Sequence, residues 1–110
     1  MQTIYHLVTR QLWEANADRP YRPESLAGEG FIHCSFAEQV ARSANRFYAE
    51  TTDLLLLHID AEHLTSPLHE EASDAGEIFP HIYGPLNRDA VTKVEELTRG
   101  SDGRWQFSGS

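Results

Sequence analysis

The stretch DLLLLHID, residues 53–60, decides the fold. Leu54–Leu57 and Ile59 follow one another without the polar alternation of a strand that has one face in water. Both faces of this strand must therefore be covered, which makes it the centre of a sheet. The apolar run soon meets Asp60 and Glu62, well short of the roughly 18 residues that cross a membrane.

Reading outward toward the N-terminus, TIYHLV (3–8) is β-branched and aromatic and predicts a second strand. Thr9 is placed as the N-cap of a short helix over 10–17, with Leu12, Trp13 and Ala17 on one face. Two prolines and two glycines make 18–30 an irregular connection. FIHC (31–34) predicts a short buried strand. Ser35 and Glu38 then match a capping box ahead of a helix over 36–49, whose apolar residues are Phe36, Val40, Ala44, Phe47 and Tyr48. In the other direction, 61–66 reads as a turn and 68–72, 80–83 and 90–97 as strands. The tail, 99–110, ends in a flexible Ser-Gly stretch, with Trp105 and Phe107 as packing anchors. The sum is one domain over 1–110 with a core at about 3–98. Its predicted class is α+β: a small split β-sandwich of two sheets with two short N-terminal helices.

Composition narrows the functional classes. A chain of 110 residues, 40% hydrophobic and 24% charged, buries about 65% of its unfolded surface without metal or disulfide staples. The lone Cys34 has no internal disulfide partner, and MQTIYHLVTRQ lacks a signal-peptide pattern; a reducing cytoplasm is the expected compartment. A net charge of −8 argues against bulk nucleic-acid binding. Between Phe47 and Asn87 there is no Lys or Arg, while Arg10, Arg19 and Arg22 give residues 1–22 a local positive excess. The acidic span is either a solvated face or a site that needs carboxylates.

Six histidines are present, and His6, His33 and His81 lie in apolar strands. An unsatisfied buried polar group costs about 1–3 kcal/mol, so each is either a bonded core residue or faces a pocket, and the pocket reading has all three converge on one cleft. No HExxH or CxxC occurs, and no metal is expected, although His58, His63 and His69 neighbour carboxylates. Cys34 should point away from His33 and Ser35 into the core. Neither a G-x-S-x-G elbow nor a P-loop is present. In GEIFPHIYGPL (76–86), Pro80 and the Gly84–Pro85 turn pin a short strand at both ends. On it His81 and Tyr83 share a face, Phe79 and Ile82 are assigned to the core, and Glu71 is the nearest carboxylate.

IYHLVT, EGFIHCS, LLLLHID and GEIFPHIYGPLN, in that order, resemble small bacterial proteins grouped as domain-of-unknown-function family 952. The resemblance spans roughly residues 3–98 and in turn implies a fold similar to the ADP-ribosyltransferase superfamily, whose members bind NAD between two small sheets. What it implies for this chain is binding or cleavage of NAD, or a related ribosyl phosphate, as a small-molecule nucleotide substrate. His6 matches the strand position that grips the nicotinamide ribose. The His33–Ser35 pair lies near the position that borders the nicotinamide. His81 and Tyr83 lie where the late catalytic residue is expected, and Glu71 or Glu77 would supply its carboxylate. Helix starts after Thr9 and Ser35, with Arg19 nearby, would receive the pyrophosphate. A non-catalytic module that binds a nucleotide or small metabolite through the same residues is the alternative.

Overall fold

A computed structural model describes residues 2–108. In chain order the elements are β1 (Thr3–Thr9), α1 (Arg10–Glu14), α2 (Glu24–Glu29), β2 (Ile32–His33), α3 (Val40–Phe47), β3 (Leu54–Asp60), β4 (Leu68–Ala72), β5 (Ile78–Ile82), β6 (Val91–Glu96), β7 (Thr98–Arg99) and β8 (Trp105–Gln106). They form an α+β fold with three antiparallel sheets, in the orders β1-β3-β6, β2-β5-β4 and β7-β8. No helix among the described residues is long and apolar enough to cross a membrane.

Every residue of β3 is buried, as its unbroken apolar run requires. Strand alternation divides its side chains between two cores. Leu55, Leu57 and Ile59 join Ile4, Val8, Ile32, Cys34, Ile82 and Leu86 between the two larger sheets. Leu54 and Leu56 join Tyr5, Leu7, Val40, Ala44 and Trp105 beneath α3 and the C-terminal hairpin. Each such Leu or Ile contributes about 1.5–3 kcal/mol by burial. Cys34 lies in the first core as expected, and burial pushes its thiol pKa up.

Among the described residues, one backbone bridge links β1 of the first sheet to the segment that continues from β2. Tyr5 donates its amide to the Ser35 carbonyl at 2.9 Å, and Ser35 returns its amide to the Tyr5 carbonyl at 2.7 Å. This bridge corrects the predicted role of Ser35. Its backbone is consumed by β1, so helical structure starts one residue later, with a 3-10 turn over Ala37–Gln39 that leads into α3. The exposed Glu38 leaves capping to Gln39, which is 3% exposed. Gln39 accepts the Phe36 amide at 2.9 Å and donates to the Ile78 carbonyl at 2.7 Å and to Glu77 at 3.0 Å.

Other boundaries shift for local reasons. The first helix stops at Glu14, because Asn16 turns the chain at φ 54°. The 18–30 connection contains α2, which starts after Pro23 and stops at Gly30, φ 89°, in a left-handed C-cap. Phe79 is not in the core; Pro80 and Ile82 face it, and Phe79, two residues from His81, lies on the opposite side. Residues 98–107 include the β7–β8 hairpin, in which Trp105 is 5% exposed, donates Nε1 to the Tyr48 carbonyl and carries the Arg99 guanidinium 3.9 Å from its ring centroid. The predicted Ser-Gly end falls mainly at Gly109 and Ser110, outside the described residues.

Gln39→Ala is expected to cost about 2–3 kcal/mol, since it leaves the Phe36 amide and the Ile78 carbonyl without their side-chain partner. Ser35→Ala, which keeps the backbone bridge, should stay within about 0.5 kcal/mol of wild type. Urea denaturation of both variants measures this, and a larger loss for Ser35→Ala would restore the hydroxyl as a cap.

Candidate functional site

The second sheet carries an array that follows directly from its register. His33 pairs with His81 across β2–β5, and His69 pairs with the same His81 across β4–β5. Residues opposite one another on neighbouring strands project to one face, so three histidines form a row across the sheet. Steps of two residues add Phe31, Tyr83 and Glu71 to that face. The Phe31 ring stacks on His81 with centroids 4.1 Å apart and planes 18° apart, and contacts His33 at 4.8 Å and Tyr83 at 5.4 Å. His33 meets His81 edge-on at 5.5 Å, and His69 meets Tyr83 at 5.1 Å. The opposite face, with Ile32, Pro80 and Ile82, is sealed in the core.

Glu71 organises the polar side of the array. Its Oε1 accepts from the Tyr83 hydroxyl at 2.5 Å and from His81 Nδ1 at 2.8 Å. These two bonds, Tyr83 first, hold its carboxyl below the usual range, and the same carboxylate pushes the Tyr83 hydroxyl pKa up. A carboxylate at 41% side-chain exposure, fixed by two donors on one oxygen, presents the other oxygen outward.

His6 behaves differently. It is 8% exposed and both ring nitrogens are used: Nδ1 lies 2.6 Å from the His33 carbonyl and Nε2 lies 2.9 Å from the Tyr21 hydroxyl. A carbonyl only accepts, so Nδ1 carries the proton and Nε2 accepts from Tyr21, whose own pKa burial raises. Burial lowers the His6 pKa to about 4, against the opposing pull of its bond to the His33 carbonyl. His6 is thus a neutral, fully bonded core imidazole.

The predicted site residues other than Ser35 fall into three groups. His33, His81, Tyr83 and Glu71 come together on the open face of the second sheet. His6 and Thr9 border a cleft of about 230 Å³ that His33 also lines; Thr9 at the same time caps α1 through the Leu12 amide at 3.4 Å. Arg19 lines an adjoining cleft of about 540 Å³ with Arg22 and Arg88, and Leu12, Tyr21, Pro23 and Glu24 border both. Ser35 lines neither cleft. The three histidines do not converge on one cleft as expected: His6 and His33 line the smaller one, His81 lines neither and meets His33 only on the open sheet face, and His6 has no nitrogen left for a ligand because burial makes it bond both. Phe31 and Tyr21 were not singled out by the sequence, and His69 was named only as a neighbour of carboxylates. Phe31 and His69 sit two residues from His33 and Glu71, so the period-2 rule was enough to find them; Tyr21 carried no such signal. No group of three or more His, Cys, Asp or Glu among the described residues is placed to hold a metal ion.

Comparison with known proteins agrees with this geometry at the level of the fold. The chain belongs to the family described as "Protein of unknown function (DUF952)", whose model matches residues 7–94. It is similar to protein CC0527 from Caulobacter crescentus: the crystal structure is 34% identical with a TM-score of 0.85, over 96% of this chain and 94% of that one. The solution structure of the same protein gives 35% identity and a TM-score of 0.82, over 96% and 93%. No curated protein matches the chain.

His6 gives a pH test. The folded chain keeps His6 neutral down to about pH 4, whereas the unfolded chain takes up that proton near 6.5. This contribution to stability is complete above about 6.5 and is lost as pH falls toward 4, on the order of 3 kcal/mol in all. His6→Asn should be less stable at pH 7.5 and should lack this component. The difference between wild-type and variant urea midpoints should therefore shrink between pH 7.5 and 5; a constant difference would contradict the buried neutral imidazole.

Proposed function

We propose, for this member of the DUF952 family, that the open face of the second sheet and the two adjoining clefts bind NAD or a related ribosyl phosphate and act on its glycosidic bond. The observation that carries the reading is the double hydrogen bond on Glu71 Oε1, which fixes a carboxylate beside a stacked aromatic ring. Cleavage of a nicotinamide–ribose bond builds positive charge on the sugar, and contacts to the neighbouring hydroxyl strengthen as it does so. A carboxylate with one oxygen tied down and one free is suited to that hydroxyl. Phe31 and His33 offer ring surface for a planar base. Arg19 and Arg22, neither in an ion pair among the described residues, supply positive charge to the adjoining cleft, where a pyrophosphate would be neutralised. In this reading His6 and Thr9 shape the wall between the two ends of the ligand, and Ser35 contributes through the backbone seam alone.

The reading is tested by thermal denaturation with NAD, ADP-ribose and nicotinamide. A ligand at 100 times its dissociation constant should stabilise the wild type by about 2.7 kcal/mol. Glu71→Ala and Arg19→Gln should each reduce that shift for NAD while the unliganded proteins stay folded. Absence of a shift with all three compounds would end the nucleotide reading.

A further inference from the structure

His81 is only 14% exposed at its side chain, yet its two nitrogens differ sharply. Nδ1 is held by Glu71 at 2.8 Å. A carboxylate only accepts, so Nδ1 carries the hydrogen, and in the neutral ring the lone pair sits on Nε2. No hydrogen bond among the described residues engages Nε2. No buried side-chain nitrogen or oxygen among the described residues lacks a partner, so Nε2 must reach solvent. Phe31 stacked on the ring and the edge of His33 restrict how the imidazole can turn. Tyr83 anchors the same Glu71 oxygen and so fixes the carboxylate that fixes the ring.

A histidine oriented through Nδ1 by a carboxylate, with Nε2 bare and open, is the arrangement of a general base. We infer that His81 Nε2 removes the proton from the hydroxyl or water that attacks the ribosyl carbon, with Glu71 and Tyr83 as its positioning residues. This inference rests on the nucleotide reading above. The step balances without a further reactant. The acceptor oxygen forms a bond to the ribosyl carbon and gives its proton to Nε2. The bond from that carbon to the pyridinium nitrogen breaks, and its electron pair neutralises the ring, which leaves as nicotinamide. The imidazolium then releases its proton to solvent. Glu71 has one oxygen for each task, Oε1 for the imidazole and Oε2 for the ribose hydroxyl.

Two measurements on the full chain test this. A nitrogen-15 spectrum of the histidine rings should show His81, in its neutral form, protonated at Nδ1 and bare at Nε2; the opposite tautomer would overturn the assignment without any substrate. Release of nicotinamide from NAD should fall on the order of 100-fold in His81→Gln at saturating NAD, while KM changes by less than about threefold. Wild-type turnover in His81→Gln overturns the inference and leaves the nucleotide reading standing; a wild type that binds NAD and releases no nicotinamide overturns the inference and the bond-cleavage part of that reading, and leaves only the binding part. A wild type that binds neither NAD nor ADP-ribose overturns the reading itself and this step with it.

Discussion

The architecture depends on one backbone pairing. β1 is an edge strand of the first sheet, and an open edge invites further pairing. Here the edge is used once, by Ser35, and the chain 32–35 then passes to β5, where Cys34 donates its amide to the Pro80 carbonyl at 3.1 Å. One short segment thus belongs to both sheets. Where the ladder between β1 and that segment ends, an imidazole extends it: His6 reaches the His33 carbonyl at 2.6 Å. The Nδ1–H of His6 is therefore part of how the two sheets are joined, and the same junction brings His33 to the end of the row that holds His81.

An acid-rich chain with few cations has to place its arginines with care, and much of the molecule's irregular structure depends on them. Arg88 lies 4.2 Å from the centroid of the Trp13 ring and donates to the carbonyls of Trp13, Ala15, Asn16 and Arg19, which closes the turn after α1. Arg99 does the same for the Ala49 and Thr51 carbonyls from above Trp105. A planar guanidinium with five donors can serve several carbonyls and an aromatic face together, which a lysine ammonium cannot. Arg10 is spent on Asp53 and Glu96, and Arg42 on Glu77. Arg19, Arg22, Arg46 and Arg104 stand apart from this pattern, since no carboxylate or carbonyl among the described residues takes up their charge, and of these Arg19 and Arg22 line the larger cleft.

What the sequence made legible was whatever rests on periodicity or local composition. Strand β3 was legible from the absence of a two-residue repeat and β1 from its β-branched and aromatic composition, while the shared face of His81 and Tyr83 around β5 and the opposed directions of Cys34 and His33 follow from that repeat. The array of His81, Tyr83 and Glu71 was legible for the same reason, with Glu71 brought in by cross-strand register. Illegible were features fixed by partners remote in sequence. Ser35 looks like a cap to local rules, and only the pairing with Tyr5, 30 residues earlier, removes it from that role. α2 is six residues flanked by Pro23 and Gly30, residues that mark a turn as readily as a short helix. Trp105 gains its place from Tyr48 and Arg99, contacts that no window of sequence contains.

The rigidity of the open face comes from its ends. Gly84 has φ 152°, and a Cβ there would overlap the Ser66 side chain, whose hydroxyl donates to the Pro85 carbonyl at 2.8 Å. The neighbouring Tyr83 amide donates to the Pro67 carbonyl at 2.8 Å. The chain leaving β5 is thus tied to the chain entering β4, and the Tyr83 hydroxyl and the Glu71 carboxylate are brought to one height by two strands that cannot slip past each other. At the other end Pro80 fixes its own φ while its carbonyl holds Cys34, so β2 keeps register with β5. His81 lies between these two clamps. A histidine that served only to fill space would gain little from being held at one nitrogen and left open at the other, and the geometry of this strand provides for both.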